Sequence, residues 1–254
     1  MSSYATEQGH WYDEDGNPAY TIVGKNGKER PTTLRDARKL NLVPSYSMIA
    51  RCAAQPGLDA WKQDQTILAV LTLPRVEGES EQDYIARIKE DAKATAAKAA
   101  ERGTQIHAWI EQGFRGDMEP QGVPYFKSAL ATIEKDCGDC EWHTEKSFAT
   151  KRYGGKVDLH NDEYLIDIKT TEKDLATIKT WDEHAMQLSA YDYGMPHGSK
   201  LLTGYRQCGI LYVHVRTAES RLIWLSEEEL QRGLECFMAL IDYWYAKNKM
   251  KEVG

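Results

Sequence analysis

Asp158, Asp167 and Lys169 are the residues whose types and spacing could do chemistry in this chain. Asp167 and Lys169 stand two apart in Tyr164-Leu165-Ile166-Asp167-Ile168-Lys169, a run otherwise suited to a buried strand. Side chains alternate across a strand, so this acid and this base share a face, about 7 Å apart along it, with Ile166 and Ile168 opposite. Asp158 belongs to the preceding strand-like segment, Gly155-Lys156-Val157-Asp158-Leu159-His160, ahead of a turn in Asn161-Asp162-Glu163. A two-residue connection sets Asp158 diagonal to Asp167, and a four-residue one sets them directly opposite; a plain three-residue loop would part their faces. Two carboxylates abreast repel. A bound divalent cation removes that repulsion, and hard oxygen ligands with room for water suit Mg²⁺ or Mn²⁺. The peptide carbonyl of Ile168 offers one more oxygen. Lys169 could orient an attacking water or neutralise charge gathering on a phosphate. The bland alternative is a solvated ion pair worth under ~1 kcal/mol.

Other residues gather around this set. "HAMQLSAY" puts Gln187 and Tyr191 on one helix face, with His184 a turn earlier. Glutamine can hold a phosphate oxygen or a base edge, and tyrosine can stack or hydrogen-bond; equally, both suit a partly buried helix whose polar tips find core partners. In "TQIHAWIEQG", Ile106, Trp109 and Ile110 turn toward a core, while His107 and Glu111 share another face. The spacing is not that of a helical zinc protease, which needs two histidines around a glutamate. In "EWHTEKSFAT", alternation sends Glu145 and Ser147 one way and Lys146 and Phe148 the other, leaving Glu145 as a further ligand, a groove acid or an edge charge. "CGDC" at 137–140 lacks the second ligand pair that zinc requires and reads as a turn.

These residues need elements to hold them. Residues 1–31, rich in Gly, Asp, Asn and Tyr, predict irregular hairpins around Asp15-Gly16 and Asn26-Gly27. Thr32 or Thr33 caps a helix over LRDARKLN, Ser45 and Ser47 open another over about 46–54, and a third covers about 58–72. A long helical stretch runs from the capping signal at Ser80 to Gln112, with a break expected at Gly103. A helix follows over 123–136. Strands are expected at about 141–150, 154–160 and 164–170, then a helix at 181–193, two strands in GILYVHV and SRLIWL, and a final helix capped by Ser226. The fold class is therefore α/β, a central mixed sheet flanked by helices. It forms a single domain over 1–254, with a mainly helical portion over 1–102 and the core over 103–254.

The chain has 254 residues, 41% apolar and 28% charged, enough for a sizeable core. No run of about 18 apolar residues predicts a membrane span. The polar, acidic start lacks an apolar signal segment. A cytoplasmic location and five reduced cysteines are the expectation. A formal charge of −7 argues against a uniformly basic nucleic-acid binder. Locally the balance reverses: Lys146, Lys151, Arg152 and Lys156 outnumber Glu145 by three charges. A metal-dependent nuclease needs acidic ligands and only a basic groove.

His107, Glu145, Gly154-Gly155, Asp158, Asp167-Ile168-Lys169-Thr170 and Gln187-Leu188-Ser189-Ala190-Tyr191, in that order, resemble the PD-(D/E)XK nucleases, and most closely the RecB-type exonuclease branch. The resemblance spans about residues 103–193, and "VPSYSMIARCAAQPGLDAW" is similar to the opening helices of phage-encoded members. It implies a restriction-endonuclease-like core. His107, Asp158, Asp167 and the Ile168 carbonyl would bind the metal, and Lys169 would be the catalytic lysine. Gln187 and Tyr191 would touch DNA or brace the site, beside Glu145, Thr170, Lys156, Lys151 and Arg152. The activity implied is metal-dependent DNA exonuclease, serving phage recombination or DNA processing and working with a recombination protein. A structure- or sequence-specific endonuclease and a non-catalytic DNA-binding accessory are the alternatives. Several relatives hold an iron–sulfur cluster on one upstream and three C-terminal cysteines. Only Cys208 and Cys236 stand in the C-terminal part here, so no such cluster is expected.

Overall fold

The computed structural model describes residues 9–196 and 206–252. Strands β1 (Trp11–Tyr12), β2 (Thr21–Val23) and β3 (Glu29–Pro31) come first; β2 and β3 form a hairpin through the Asn26-Gly27 turn. The Asp15-Gly16 turn is held by Asp13, whose Oδ1 accepts from the N–H groups of Asp15 and Asn17. Helix α1 (Leu34–Leu40) starts at Thr33, which forms a reciprocal capping box with Asp36. Strand β4 (Val43–Pro44) pairs with β1. Ser45 caps α2 (Tyr46–Ala50). That helix ends four residues before the expected Ala54, because the N–H groups of Cys52 and Ala53 bond three residues back and Pro56 opens α3 (Pro56–Thr72).

Helix α4 (Glu81–Arg115) runs 35 residues without interruption, so the break expected at Gly103 is absent. The glycine serves close approach instead. A Cβ there would lie 3.0 Å from the Thr170 hydroxyl. The division expected at residue 102 thus falls inside one helix. Then come α5 (Val123–Cys137), β5 (His143–Ala149), β6 (Gly154–His160), β7 (Tyr164–Thr171), α6 (Asp182–Gly194), β8 (Gln207–His214), β9 (Ser220–Trp224) and α7 (Glu227–Asn248).

The five long strands form one mixed sheet in the order β5-β6-β7-β8-β9. Only β7 and β8 are parallel, and α6 lies in the crossover between them. Helices cover both faces. On one, Ile106 and Ile110 of α4 and Ile133 of α5 pack with Leu159, Ile166, Ile168 and Leu211. On the other, Leu188 and Tyr191 of α6, Phe237 and Ile241 of α7, and Tyr46 and Ile49 of α2 pack with Val157, Leu165 and Ile210. Trp11 of the N-terminal portion joins this second cluster. Among the described residues, no helix is long and apolar enough to cross a membrane.

Two contacts fix the position of α6. The buried Arg206 guanidinium donates to Asp192 Oδ1 at 2.8 Å and to the Asn161 carbonyl at 3.0 Å, tying α6 to the β6–β7 turn. Gly233 of α7 lets α6 approach closely, since a Cβ there would lie 2.6 Å from the Ala185 carbonyl carbon. Backbone cannot yield as a side-chain tip can. Gly233→Ala should therefore lower the unfolding free energy by about 1–3 kcal/mol, read from urea midpoints at unchanged m-value; an unaltered midpoint would show that the helices have room to part.

Candidate active site

The β6–β7 register pairs Leu159 with Ile166 and His160 with Leu165, leaving four residues, 161–164, between the closing pair. Continued one step, this register sets Asp158 opposite Asp167. The ladder stops before that step. Face alternation also changes there: Val157 packs on the α6–α7 side and Leu159 on the α4–α5 side. On the neighbouring strand, Glu145 has φ 57°, a left-handed conformation costly for a residue with a Cβ. The simple alternation expected for Glu145, Ser147, Lys146 and Phe148 is therefore interrupted at Glu145.

Asp158 uses the gap so created. Its Oδ2 accepts from the Ile168 N–H at 2.8 Å and lies 3.6 Å from His107 Nδ1, which α4 supplies from above. Within an extended strand the N–H and C=O of one residue point to the same edge, so the Ile168 carbonyl faces this gap as well. Asp167 projects toward α6. Gln187 Nε2 donates to Asp167 Oδ1 at 2.8 Å and to the Tyr191 hydroxyl at 3.3 Å, while Gln187 Oε1 accepts from Lys169 Nζ at 3.1 Å. Lys169 Nζ also lies 2.7 Å from Asp167 Oδ2 in an ion pair, although that oxygen, fully buried, has no partner in hydrogen-bond geometry.

The electrostatics follow from burial and neighbours. Burial, and then the charge of Asp167, push the Asp158 carboxyl up to about 7, against the pull of the Ile168 N–H and Lys169. Burial works to lower the Lys169 ammonium, but the charge and contact of Asp167, with Asp158 and Glu183, outweigh it and hold the lysine above its ordinary value. His107 is lowered, chiefly by burial, with Lys169 and Lys156 helping and Asp167 opposing. The imidazole is thus held neutral, the form that binds metals.

The donor set fits a hard divalent cation. Asp158 stands at the Ile168 backbone beside His107 and is destabilised as an anion, and Asp167 keeps a buried oxygen outside any hydrogen bond. Among the described residues no three His, Cys, Asp or Glu side chains converge closely enough to hold an ion unaided. An ion here would need the carbonyl and water as well.

The remaining residues are placed as follows. Thr170 packs beside Gly103 of α4. Lys156 pairs with Glu145 near the β5–β6 surface, and Glu145 lines a small recess with His107, Glu111 and Asp158. Lys151 is exposed at the β5–β6 turn. Arg152 is not brought into the cluster: it pairs with Asp242 at 2.5 Å and Glu252 at 3.2 Å and lies over the Tyr245 ring. Cys140 Sγ donates to the Cys137 carbonyl at 3.1 Å, closing the turn after α5.

Sequence reasoning did not single out Tyr46 or Trp181. Both line a cavity of about 970 Å³ that reaches Lys169, Gln187 and Tyr191. The one local signal was a tryptophan directly before the acidic first turn of a helix. His184 also lines it, and its Nδ1 lies 3.0 Å from the Trp181 N–H and 3.2 Å from the Tyr212 hydroxyl. Burial, aided by Lys169, lowers this imidazole to about 4. A depressed histidine favours the fold fully above its unfolded value near 6.5 and loses that contribution as pH falls toward 4. Wild type should therefore lose stability over this window faster than His184→Gln, compared by urea unfolding at pH 7, 5.5 and 4.5. Parallel pH profiles would contradict this.

No family model matches the chain, and no curated protein does. Among solved structures, a candidate exonuclease from Eubacterium rectale is similar at 15% identity and TM-score 0.40, covering 59% of this chain and 69% of its own. The protein named SSO0001 is similar at 16% identity and TM-score 0.29, covering 72% of this chain and 86% of its own. At these scores neither likeness assigns a family or an activity.

Proposed function

We propose that this chain is a divalent-metal-dependent deoxyribonuclease, an exonuclease hydrolysing phosphodiester bonds from DNA ends. The observation that carries the reading is the joining of Asp167 and Lys169 through Gln187, with Asp158 reaching the Ile168 backbone beside them. His107, Asp158, Asp167 and the Ile168 carbonyl would hold Mg²⁺ or Mn²⁺, which supplies charge compensation and a more acidic water. Lys169 donates to a non-bridging phosphate oxygen as charge builds there. The water oxygen bonds to phosphorus while the bond to the departing sugar oxygen breaks; the water gives up one proton to solvent, and the sugar oxygen takes one from solvent as it leaves. Gln187 keeps the lysine and Asp167 in register, and Tyr191 holds the far side of the Gln187 amide. A place in phage recombination or DNA processing, alongside a recombination protein, rests on the sequence resemblance alone, and a cytoplasmic location on the polar, acidic start of the sequence.

A time course on single- and double-stranded DNA labelled at either end tests the reading. Mg²⁺ or Mn²⁺ should release short products from an end, and EDTA should stop the release. Cutting of covalently closed single-stranded circles would make the enzyme an endonuclease. Intact substrate in both metals would refute a nuclease.

A further inference from the structure

The cavity between α2, α6 and α7 is lined by Lys169 and Gln187 of the candidate site and by Trp181, which has 56% of its surface exposed. His184 lies one turn before Gln187 on α6. Because a backbone N–H can only donate, His184 Nδ1 must accept from Trp181, so the neutral ring carries its proton on Nε2. The residue lines the cavity, so an incoming acceptor can approach its ring. Three carboxylates, Asp182, Glu183 and Glu229, face three cations, Arg51, Lys169 and Arg232, around the wall. Glu229 accepts from Ser226 N–H and hydroxyl at 2.8 and 2.7 Å, and Asp182 lies 3.4 Å from Arg232.

A volume of about 970 Å³ lies at the upper end of the roughly 300–1,000 Å³ typical of small-ligand clefts. An exposed indole beside a donor for phosphate suits a chain with alternating flat rings and anions. Bases inside a duplex have no free face to offer, and unstacking one costs energy. A single strand presents its bases freely, and aromatic platforms recognise it without regard to sequence.

We infer that this cavity is the lane for a single DNA strand leading to Lys169, with a base stacked on Trp181 and a phosphate oxygen taking the His184 Nε2–H. The inference rests on the nuclease reading above. It makes single-stranded DNA, or a frayed end, the substrate class, and makes Trp181 a positioning residue outside the reacting atoms.

Binding in EDTA separates the two ideas, since it requires no cleavage. Fluorescence anisotropy would follow a labelled 12-nucleotide single strand and the matching 12-base-pair duplex, on wild type, Trp181→Ala and Trp181→Phe. The exposed position makes unfolding of either variant easy to exclude by circular dichroism. Loss of one base–aromatic stack should weaken single-strand binding about 5- to 100-fold in Trp181→Ala, with Trp181→Phe close to wild type and duplex binding unchanged. Equal single-strand affinity in Trp181→Ala, or equal loss on the duplex, overturns the lane. If wild type cleaves DNA and Trp181→Ala binds and cleaves like it, the lane fails while the nuclease stands. If wild type binds neither DNA, the lane fails, and the nuclease stands or falls by the cleavage time course in Mg²⁺ and Mn²⁺.

Discussion

Lys169→Ala is expected to keep the fold and DNA binding while losing cleavage by on the order of 100-fold or more, the usual consequence of removing one electrostatic contact to a transition state. The side chain is one-third exposed, and its ammonium sits 2.7 Å from Asp167 and 3.1 Å from Gln187. Its deletion leaves Asp167 still hydrogen-bonded to Gln187 Nε2, so the acid does not lose every partner. The site also becomes more negative, so affinity for Mn²⁺ should not fall. Single-turnover cleavage at saturating Mn²⁺, beside a thermal melt, reads both effects. A rate within a few-fold of wild type, with an intact fold, would remove the lysine from the chemistry.

Asp158→Asn should act in two opposite ways. In the metal-free protein the Asp158 carboxyl is raised from an ordinary value of 3.8 to about 7. Between those values the folded state binds the proton more tightly than the unfolded state, so this group makes stability fall as pH rises from about 4 to 7. Above 7 the full cost applies. Asparagine has no such charge and keeps an oxygen to accept from the Ile168 N–H. The variant should therefore melt several degrees higher than wild type at pH 8 in EDTA. Its response to Mn²⁺ should vanish. Wild type should show the reverse, a metal-dependent rise in melting temperature that grows with pH as the carboxyl loses its proton. Equal melting temperatures and equal Mn²⁺ responses in the two proteins would refute both the strained acid and the metal site.

Lys169 and Asp158 also differ in how they became visible. Asp167 and Lys169 lie two apart on one strand, and Gln187 and Tyr191 lie four apart on one helix. Both relations are local and follow from the periods of strand and helix. Thr33, Ser45, Ser80 and Ser226 cap the helices anticipated at them, because a cap is a contact over three residues. The alternation of strands and helices from residue 143 onward was legible for the same reason.

What lay beyond the sequence depended on residues distant along the chain. Gly103 breaks nothing, since its role is to admit the Thr170 hydroxyl, 67 positions away. The change of face at Asp158 accompanies a left-handed Glu145, a backbone state that a glutamate does not announce. Arg152, grouped by charge with Lys151 and Lys156, is drawn off by Asp242 and Glu252. The cavity at Lys169 exists only where α2, α6 and α7 meet. Local periodicity thus determined which side chains share a face. Only packing between remote segments decided which faces meet, because a contact between them depends on the whole path of chain that brings them together.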